Sequence, residues 1–590
     1  MSALWVVAVL APVTTVLLLA VVGLGPREVS ARGRTTLVRW APLAVLPAGL
    51  LALAGPRAGA VDVPWLVLGT RLEVDELGRP LLLLAVLLYG VALVAVRPGR
   101  TTRAPVLSGF LLMSFVGNAG VFVAADTVTF YLCFTVMSLA AYGLVVHENT
   151  ASARRAGRVY IVLAVASEMF ILAGLLLVVQ EGGLLVADAA DVVAGSEARG
   201  VIVLLLLLGF GVKAGTVPLH VWLPLAHPAA PPAASAVLSG AMLKAGLVGW
   251  LRYLPLGEVA MPGWGATLVV LAVLGAFLAV PAGLLQADPK VALAYSSISQ
   301  MGFLSVLVGV ALARPDLAEA CVVAAVLYAV HHGLAKGALF LGVGVWRAHG
   351  AGPARPWVLV GLGVAALAVA GAPLSSGAVA KYAAKQSVGS ATVLGVDLAL
   401  LLPLVGTGST LLLARGGWLL LRGRRDERPG DLATLVAWSV LVVGGITLTW
   451  LLAGRWVPVE SVPGLEPVTL WDAAWPVLLG LGLAGLGWWL SARERLPAWA
   501  AHPDGRLLPP GDLLVPEEAM VRRLLHLERR VEVAVARARQ VLGRAGLFVA
   551  DRSPSPTTLA ATGDAGLARW QVSGAVLLAV LLLVLAVGAW

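Results

Sequence analysis

The chain has 590 residues, of which 59% are hydrophobic and 13% charged, with a formal net charge of +10. Soluble globular domains run at about 45–50% apolar and about 25% charged, so this composition excludes one. Apolar runs of bilayer-crossing length, about 20 residues each, recur along nearly the whole chain, and being continuous rather than alternating they exclude a β-barrel. The expected fold is an all-α polytopic membrane protein.

The apolar-run criterion predicts about 16 transmembrane helices. They are expected at residues 3–24, 36–55, 80–97, 104–124, 127–147, 157–180, 199–224, 233–253, 264–285, 290–313, 317–346, 357–385, 393–421, 431–453, 471–491 and 571–590. The first run, Leu4 to Leu24, lacks a basic leader and an Ala-x-Ala-like cleavage site, so it reads as a retained helix and not a signal peptide.

Loop charge predicts orientation. Arg27, Arg32, Arg34 and Arg39 follow the first span, Arg97, Arg100 and Arg103 the third, and Arg154, Arg155 and Arg158 the fifth. Arg347 and Arg355 flank the turn after the eleventh, and Arg422, Arg424, Arg425 and Arg428 follow the thirteenth. Alternate loops carry Asp62, Glu73, Asp75, Glu76, Asp188, Asp191, Glu460 and Glu466 instead. The arginine side is therefore expected to be cytoplasmic, in the cell inner (plasma) membrane, with both termini outside. Arginines confined to short loops are topology signals, so the positive charge does not point to nucleic acid. The tryptophans lie mostly near span ends, as an interfacial belt would place them.

One long polar stretch, 492–570, falls on the predicted cytoplasmic side. Within it, residues 517–546 (EEAMVRRLLHLERRVEVAVARARQVLGRAG) have helical apolar spacing and many arginines, the pattern of an amphipathic helix on a membrane surface or on neighbouring helices. Pro- and Gly-bearing linkers bound it.

Cys133 and Cys321 stand alone inside apolar runs. They do not supply the roughly four thiolates of an iron–sulfur cluster, and no haem attachment motif, dinucleotide fingerprint or P-loop is present. No cofactor and no metal site is therefore expected.

The informative residues are ionisable groups inside apolar runs, because a lysine at a helix centre costs roughly 2.5–3.5 kcal/mol on insertion scales and normally faces a polar interior. Lys213 lies five residues before Pro218, which removes a backbone donor and should break the helix; freed carbonyls at that depth must be buried or line a wet cavity. Lys244 follows in the next span beside Ser239, Gly240, Ala241 and Gly246, small residues that permit close helix approach. His332 and Lys336 are at i, i+4 and share a helix face, an arrangement suited to passing protons between water chains. Pro373 breaks a later span, with Lys381 just beyond. A broken helix with a buried lysine thus occurs twice. Such pairing predicts two inverted five-helix units, 104–253 and 264–421, with ion sites near the midplane. Helices 1–103 precede them; helices 431–491, the segment 492–570 and a last helix at 571–590 follow.

Other polar residues have plainer readings. Lys381 lies near a span end, where a lysine can snorkel. His331 is expected to face helix neighbours or lipid headgroups, not the axis. His220 and His227 flank Pro218 and Pro224 as structural caps, since no carboxylate or cysteine completes a metal site. Asp288 suits a helix N-terminus, beside Lys290. Tyr295, Ser296, Ser297 and Ser299 can bond water or neighbouring helices.

These stretches resemble the antiporter-type proton-conducting membrane subunits of respiratory complex I, Mrp-type cation/proton antiporters and membrane-bound hydrogenases. The likeness is carried by VKAGTVPLHVWLPLAH with PPAASAVLSGAMLKAG, by DPKVALAYSSISQMG from Asp288 to Gly302, by HHGLAKGALF and by PLSSGAVAKY, and covers about 125–385. The variant WLPLAHPAAPPAASAVLSG is most similar to the hydrogenase-4/formate hydrogenlyase branch. The resemblance implies that Lys213 is the lysine of the first broken helix, modulated by a carboxylate; that Lys244 and His332, with Lys336 beside them, belong to a central hydrophilic axis; and that Lys381 is the terminal lysine exchanging protons with the outside. It implies partner membrane subunits and redox centres on other chains, with the amphipathic segment bracing its neighbours.

One position departs from the family pattern. Where the family has glutamate in the fifth span, in a segment like W-E-x-M-S-L, this chain reads CFTVMSL with Thr135. Two readings follow: Glu168 in the next span takes over as the counter-ion of Lys213, or the pair is lost and the first half-channel is degenerate. The expected function is proton translocation as a subunit of a redox-driven hydrogenase-4 or NADH-quinone oxidoreductase type complex. The alternatives are an Mrp-type sodium/proton antiporter, an ion-coupled inorganic-carbon uptake subunit, or a non-conducting scaffold.

Overall fold

The structure, a computed structural model, describes residues 2–513 apart from 23–26, 67, 424, 426–429, 502 and 512. The amphipathic stretch 517–546, most of the segment 492–570 and the expected last span 571–590 lie outside the described residues. Two compact units are distinguished, one of Met1–Val61 with Arg71–Asp512, the other of Asp62–Thr70 with Leu513–Trp590. In the second, Leu66 O accepts the Gly69 amide and the Thr70 hydroxyl. Everything below concerns the first, a helical bundle.

Its helices run in chain order as α1 (Ser2–Val21), α2 (Arg27–Trp40), α3 (Leu46–Ala54), α4 (Gly78–Ala95), α5 (Ala104–Val123), α6 (Thr127–Val145), α7 (Ala151–Gln180) and α8 (Ala189–Gly195). The broken pair α9 (Arg199–Ala214) and α10 (Trp222–Ala229) follows, then α11 (Pro232–Val237) and α12 (Leu243–Tyr253). Next come α13 (Pro262–Leu284), α14 (Pro289–Ala313), α15 (Pro315–His349), and a second broken pair, α16 (Arg355–Ala370) and α17 (Ser376–Ser387). The bundle closes with α18 (Leu398–Arg422), α19 (Leu432–Leu452) and α20 (Pro467–Ala492).

Among the described residues 13 helices are long and apolar enough to cross a membrane, not 16. The difference has a physical cause. The expected spans 199–224 and 357–385 are each split into two helices too short to qualify, and the sixteenth is undescribed. The other 13 expected spans coincide with the observed ones. The chain is a multi-pass α-helical membrane protein.

Both breaks use the same device. In the first, the Thr216 amide bonds Gly211 O and the Gly215 amide bonds Val212 O, with Gly215 left-handed at φ +71°. In the second, the Ala372 amide bonds Leu367 O and the Gly371 amide bonds Ala368 O, with Gly371 at φ +91°. Each is a Schellman cap on an αL glycine, with proline just beyond to prevent the helix from resuming. The helices therefore stop at Ala214 and Ala370, a few residues ahead of Pro218 and Pro373, and the glycines set the stopping points.

Burial sorts the helices. The span from Pro232 to Tyr253 and α14 are buried along nearly their whole length, whereas α20 buries little of itself. The spans carrying Lys244 and the serines of α14 thus occupy the centre, where polar groups find partners, and uniformly apolar helices face outward. Small residues make this closeness possible: a Cβ on Gly246 would lie 2.6 Å from Phe210 O, and one on Gly302 would lie 2.6 Å from Ala272 O. Many tryptophans are exposed, as a belt requires, but Trp222, Trp250, Trp346 and Trp438 are buried. Their indole N–H groups donate to Val212 O, Leu206 O, Leu420 O and Ala338 O, because a buried donor must find an acceptor.

Two arginine-bearing loops meet on one face. Arg97, after α4, bonds Asp431 at the start of α19 at 2.8 Å, and Arg103 bonds His147 O after α6.

Candidate ion-conducting site: a buried row of lysines and histidines

The first station is the end of α9. Lys213 sits in its last turn, where a cation complements the helix dipole. Its ammonium is buried and donates to the Tyr160 hydroxyl at 2.9 Å, with the Tyr160, Trp222 and Phe134 rings 5.0, 5.9 and 5.9 Å away. Aromatic faces stabilise a desolvated cation by about 2 kcal/mol or more in favourable cases, so the cage keeps a charged amine tolerable here.

Glu168 is buried on α7. Its Oε2 accepts from the Thr135 hydroxyl at 2.8 Å, and its Oε1 has no hydrogen-bond partner among the described residues. Glu168 and Lys213 act on each other electrostatically. They do so through space, without a shared hydrogen bond. A carboxylate from α7 is thus anchored on Thr135 of α6.

The second station is the centre. Leu238–Met242 form a π-helical turn between α11 and α12, the kind of insertion found frequently at functional sites. Lys244 Nζ donates back to Ser239 O of that turn at 2.9 Å and lies 3.0 Å from His332 Nδ1 on α15. The Ser239 hydroxyl meets Ser297 of α14 at 2.9 Å. Ser297 donates in turn to Leu293 O, which also accepts from Lys336 Nζ at 3.0 Å. Lys244 and Lys336, both fully buried, are thereby joined through two serines, so helix-to-helix bonding is the role the structure gives Ser297.

The third station is the second broken helix. Lys381 does not snorkel: its Nζ turns back and donates to Ala370 O, the last carbonyl of α16, at 2.6 Å. His331 is fully buried and lies 2.9 Å from the Ser376 hydroxyl of α17. It therefore touches a helix neighbour and not lipid headgroups. Tyr328, one turn before His332, has its ring edge-on to His331, with centroids 5.7 Å apart.

The flanking histidine is not a cap. His227 is stacked on Phe340 at 4.2 Å, and both ring nitrogens lack hydrogen-bond partners among the described residues. Lys290 instead supplies bonds at the end of α10, donating to His227 O at 2.9 Å and to Ala230 O. Asp288 does cap α14, accepting the Lys290 amide at 2.7 Å. Cys133 and Cys321 are free thiols, and no group of three or more His, Cys, Asp or Glu suited to a metal occurs among the described residues.

Residues 124–394 match the family described as "NADH:quinone oxidoreductase/Mrp antiporter, TM", and all three stations lie within them. Hydrogenase-4 component B of Escherichia coli is 32% identical over 302 residues, which cover 48% of this chain and 45% of that one. The chain spans about half the length of the curated relatives it matches. In fold it is similar to the Mrp complex from Dietzia sp., with a TM-score of 0.72 at 22% identity over 95% of this chain and 66% of that one. It is also similar to the membrane-bound sulfane sulfur reductase, an archaeal respiratory membrane complex, with a TM-score of 0.64 at 20% identity over 98% and 99% of the two chains.

Within the family segment, sequence reasoning passed over Tyr160 and Ser376. Tyr160 had a usable signal: it lies eight residues before Glu168, on the same stripe of one helix. Ser376 had none, because its pairing with His331 spans 45 residues and a helix break.

Proposed function

We propose that the protein translocates protons as the antiporter-like membrane subunit of a larger redox-driven complex of the hydrogenase-4 or NADH-quinone oxidoreductase type. The observation that carries this reading is the Lys244–His332 contact of 3.0 Å between two fully buried side chains, flanked on either side by a broken helix with its own lysine. An uncompensated amine in that setting is costly, and a row of them is best accounted for by a conducting function.

In this reading a proton occupies one station at a time. Lys213 holds it within the aromatic cage, with Glu168 as its electrostatic partner and Thr135 fixing the carboxylate. Lys244, His332 and Lys336 form the central exchange point, and Lys381 is the terminal donor. Loss of positive charge at one station favours protonation of the next, and the reverse expels the proton along the row. The matching glycine caps support two inverted units, 104–253 and 264–421, with 1–103 and 431–491 as added helices and a sixteenth span at 571–590. The meeting of arginine-bearing loops on one face supports a cytoplasmic location for that face, with both termini outside. Redox centres belong to partner subunits, which the segment 492–570 would brace.

The deciding experiment is proton flux in vesicles carrying the full chain, comparing wild type with Lys213→Ala and Glu168→Gln. Conduction requires both variants to fall well below wild type. Equal flux in all three would leave a scaffold, and flux that requires sodium, with no hydrogenase-like or quinone-reductase subunits co-purifying in mild detergent, would identify a cation/proton antiporter.

A further inference from the structure

The polar surroundings of the second broken helix extend past Lys381. Lys385 lies one turn further along α17, so the two amines share a face. Lys385 Nζ is ion-paired with the Asp472 carboxylate of α20 at 2.7 Å. Between them lies a cavity of about 60 Å³ whose lining includes Gly371, Lys381, Lys385, Gly406, Asp472 and Pro476. A single water needs about 10–15 Å³ by the same measure, so the space admits several.

Every wall of this cavity is weakened where it faces inward. The α16–α17 helix is open at Gly371. Pro403 in α18 and Pro476 in α20 also line the cavity, and each removes the amide that would bond the carbonyl four residues earlier. For Pro476 that carbonyl is the one of Asp472. The side chains of Lys385 and Asp472 are 33% and 42% exposed, so accessibility rises from Lys381 toward the pair. As a strut the pair is worth little, since exposed ion pairs contribute about 0–1 kcal/mol. Its position, between half-buried Lys381 and the more exposed rim of the cavity, calls for another account.

We propose that Asp472 is the outermost proton acceptor of the row, with Lys385 as its counter-ion. The Lys381 ammonium gives up one proton through the cavity to the Asp472 carboxylate. This leaves a neutral amine and a carboxylic acid, and the acid then releases the proton to bulk water. Lys385 holds the carboxylate in place between transfers. The proposal rests on the conduction reading above and deepens it: the outlet is completed by a helix beyond the family segment 124–394, so α20 is part of the conducting machinery.

The test uses the full chain in vesicles, with proton flux and detergent melting measured for Asp472→Asn, Asp472→Glu and Lys385→Gln. Flux should fall about tenfold or more in Asp472→Asn and return to within about threefold of wild type in Asp472→Glu, because only the carboxylate can take the proton. Lys385→Gln breaks the same ion pair but keeps the carboxylate, so it should conduct at no less than about a third of the wild-type rate. A conducting wild type with an unaffected Asp472→Asn variant overturns the outlet alone. Equal loss of flux and of melting temperature in Asp472→Asn and Lys385→Gln also overturns it, by showing the pair to be structural. A silent wild type removes the conduction reading and the outlet with it.

Discussion

Thr135 on α6 donates its hydroxyl to the Glu168 carboxylate on α7 across 2.8 Å. Where the resemblance implies a glutamate on α6, this chain has Thr135, and the carboxylate bound there comes from the neighbouring helix. Removing the donor with Thr135→Val leaves a buried carboxylate oxygen unpaired, at a cost of about 1–3 kcal/mol. Proton flux should drop about tenfold in Glu168→Gln, equivalent to about 1.4 kcal/mol, and the exchange Thr135→Glu with Glu168→Thr should restore most of it. Flux measurements on the three variants in vesicles check this.

Tyr160 gives Lys213 its direct hydrogen bond. Tyr160→Phe keeps the ring of the cage and removes only the hydroxyl. A hydrogen bond to a charged group contributes about 1.5–3 kcal/mol, so flux should fall about ten- to a hundredfold while the helical circular dichroism signal is unchanged.

His332 separates structure from conduction. His332→Gln retains an acceptor near Lys244 but does not take up and release a proton at neutral pH, whereas His332→Ala strands the amine on Ser239 O alone. Both variants should lose flux. Only His332→Ala should also lose stability, by about 1–3 kcal/mol, read as an earlier melting transition in detergent.

Gly246 permits the close approach of α12 to α9. A Cβ there would stand 2.6 Å from Phe210 O and 2.7 Å from Ala214 N, both backbone atoms that cannot swing away. Gly246→Ala should therefore cost about 1–3 kcal/mol and disturb the neighbouring Lys213. Gly363→Ala is the control: nothing lies within 4 Å of its added methyl, and an exposed helical glycine gains about 0.5–1 kcal/mol on becoming alanine. Detergent melting of the two variants should move in opposite directions.

Asp431 caps α19 through the Thr434 amide and pairs with Arg97. Burial pushes its carboxyl upward, but the Thr434 amide and the Arg97 charge outweigh this and hold it below the ordinary 3.8. Its contribution to stability is thus present above that value and is lost as pH falls through the depressed one. Asp431→Asn retains a good cap and loses the ion pair, so it should cost at most about 1 kcal/mol, whereas Asp431→Ala loses the cap as well, at about 0.5–2 kcal/mol more. The melting difference between wild type and Asp431→Asn should be full at pH 7 and vanish in strong acid.

The lysines and His332 were legible because charge inside an apolar run is a one-dimensional signal, visible without knowing what it faces. The breaks were legible only in part. Pro218 and Pro373 announce them, yet the helices stop at Gly215 and Gly371, whose αL conformation and Schellman bonds depend on the backbone and not on the prolines. The prolines predicted that both spans are interrupted, but not where each helix stops, because hydropathy sums over a segment and does not register a turn within it. His227 was misjudged as a cap for a related reason: residues flanking a proline look alike in sequence while facing different surroundings.

Sequence alone determined that the chain is a helical membrane protein, where its continuous spans run, and which titratable groups lie inside apolar runs. These are properties of local composition, fixed by the transfer free energy of each segment. Only the tertiary structure decided that Glu168 rests on Thr135, that two serines join Lys244 to Lys336, and that Asp472 meets Lys385 from 87 residues away. Each is a contact between helices, and helix packing is set by shape and by close approach at glycines, which no reading along a single helix contains.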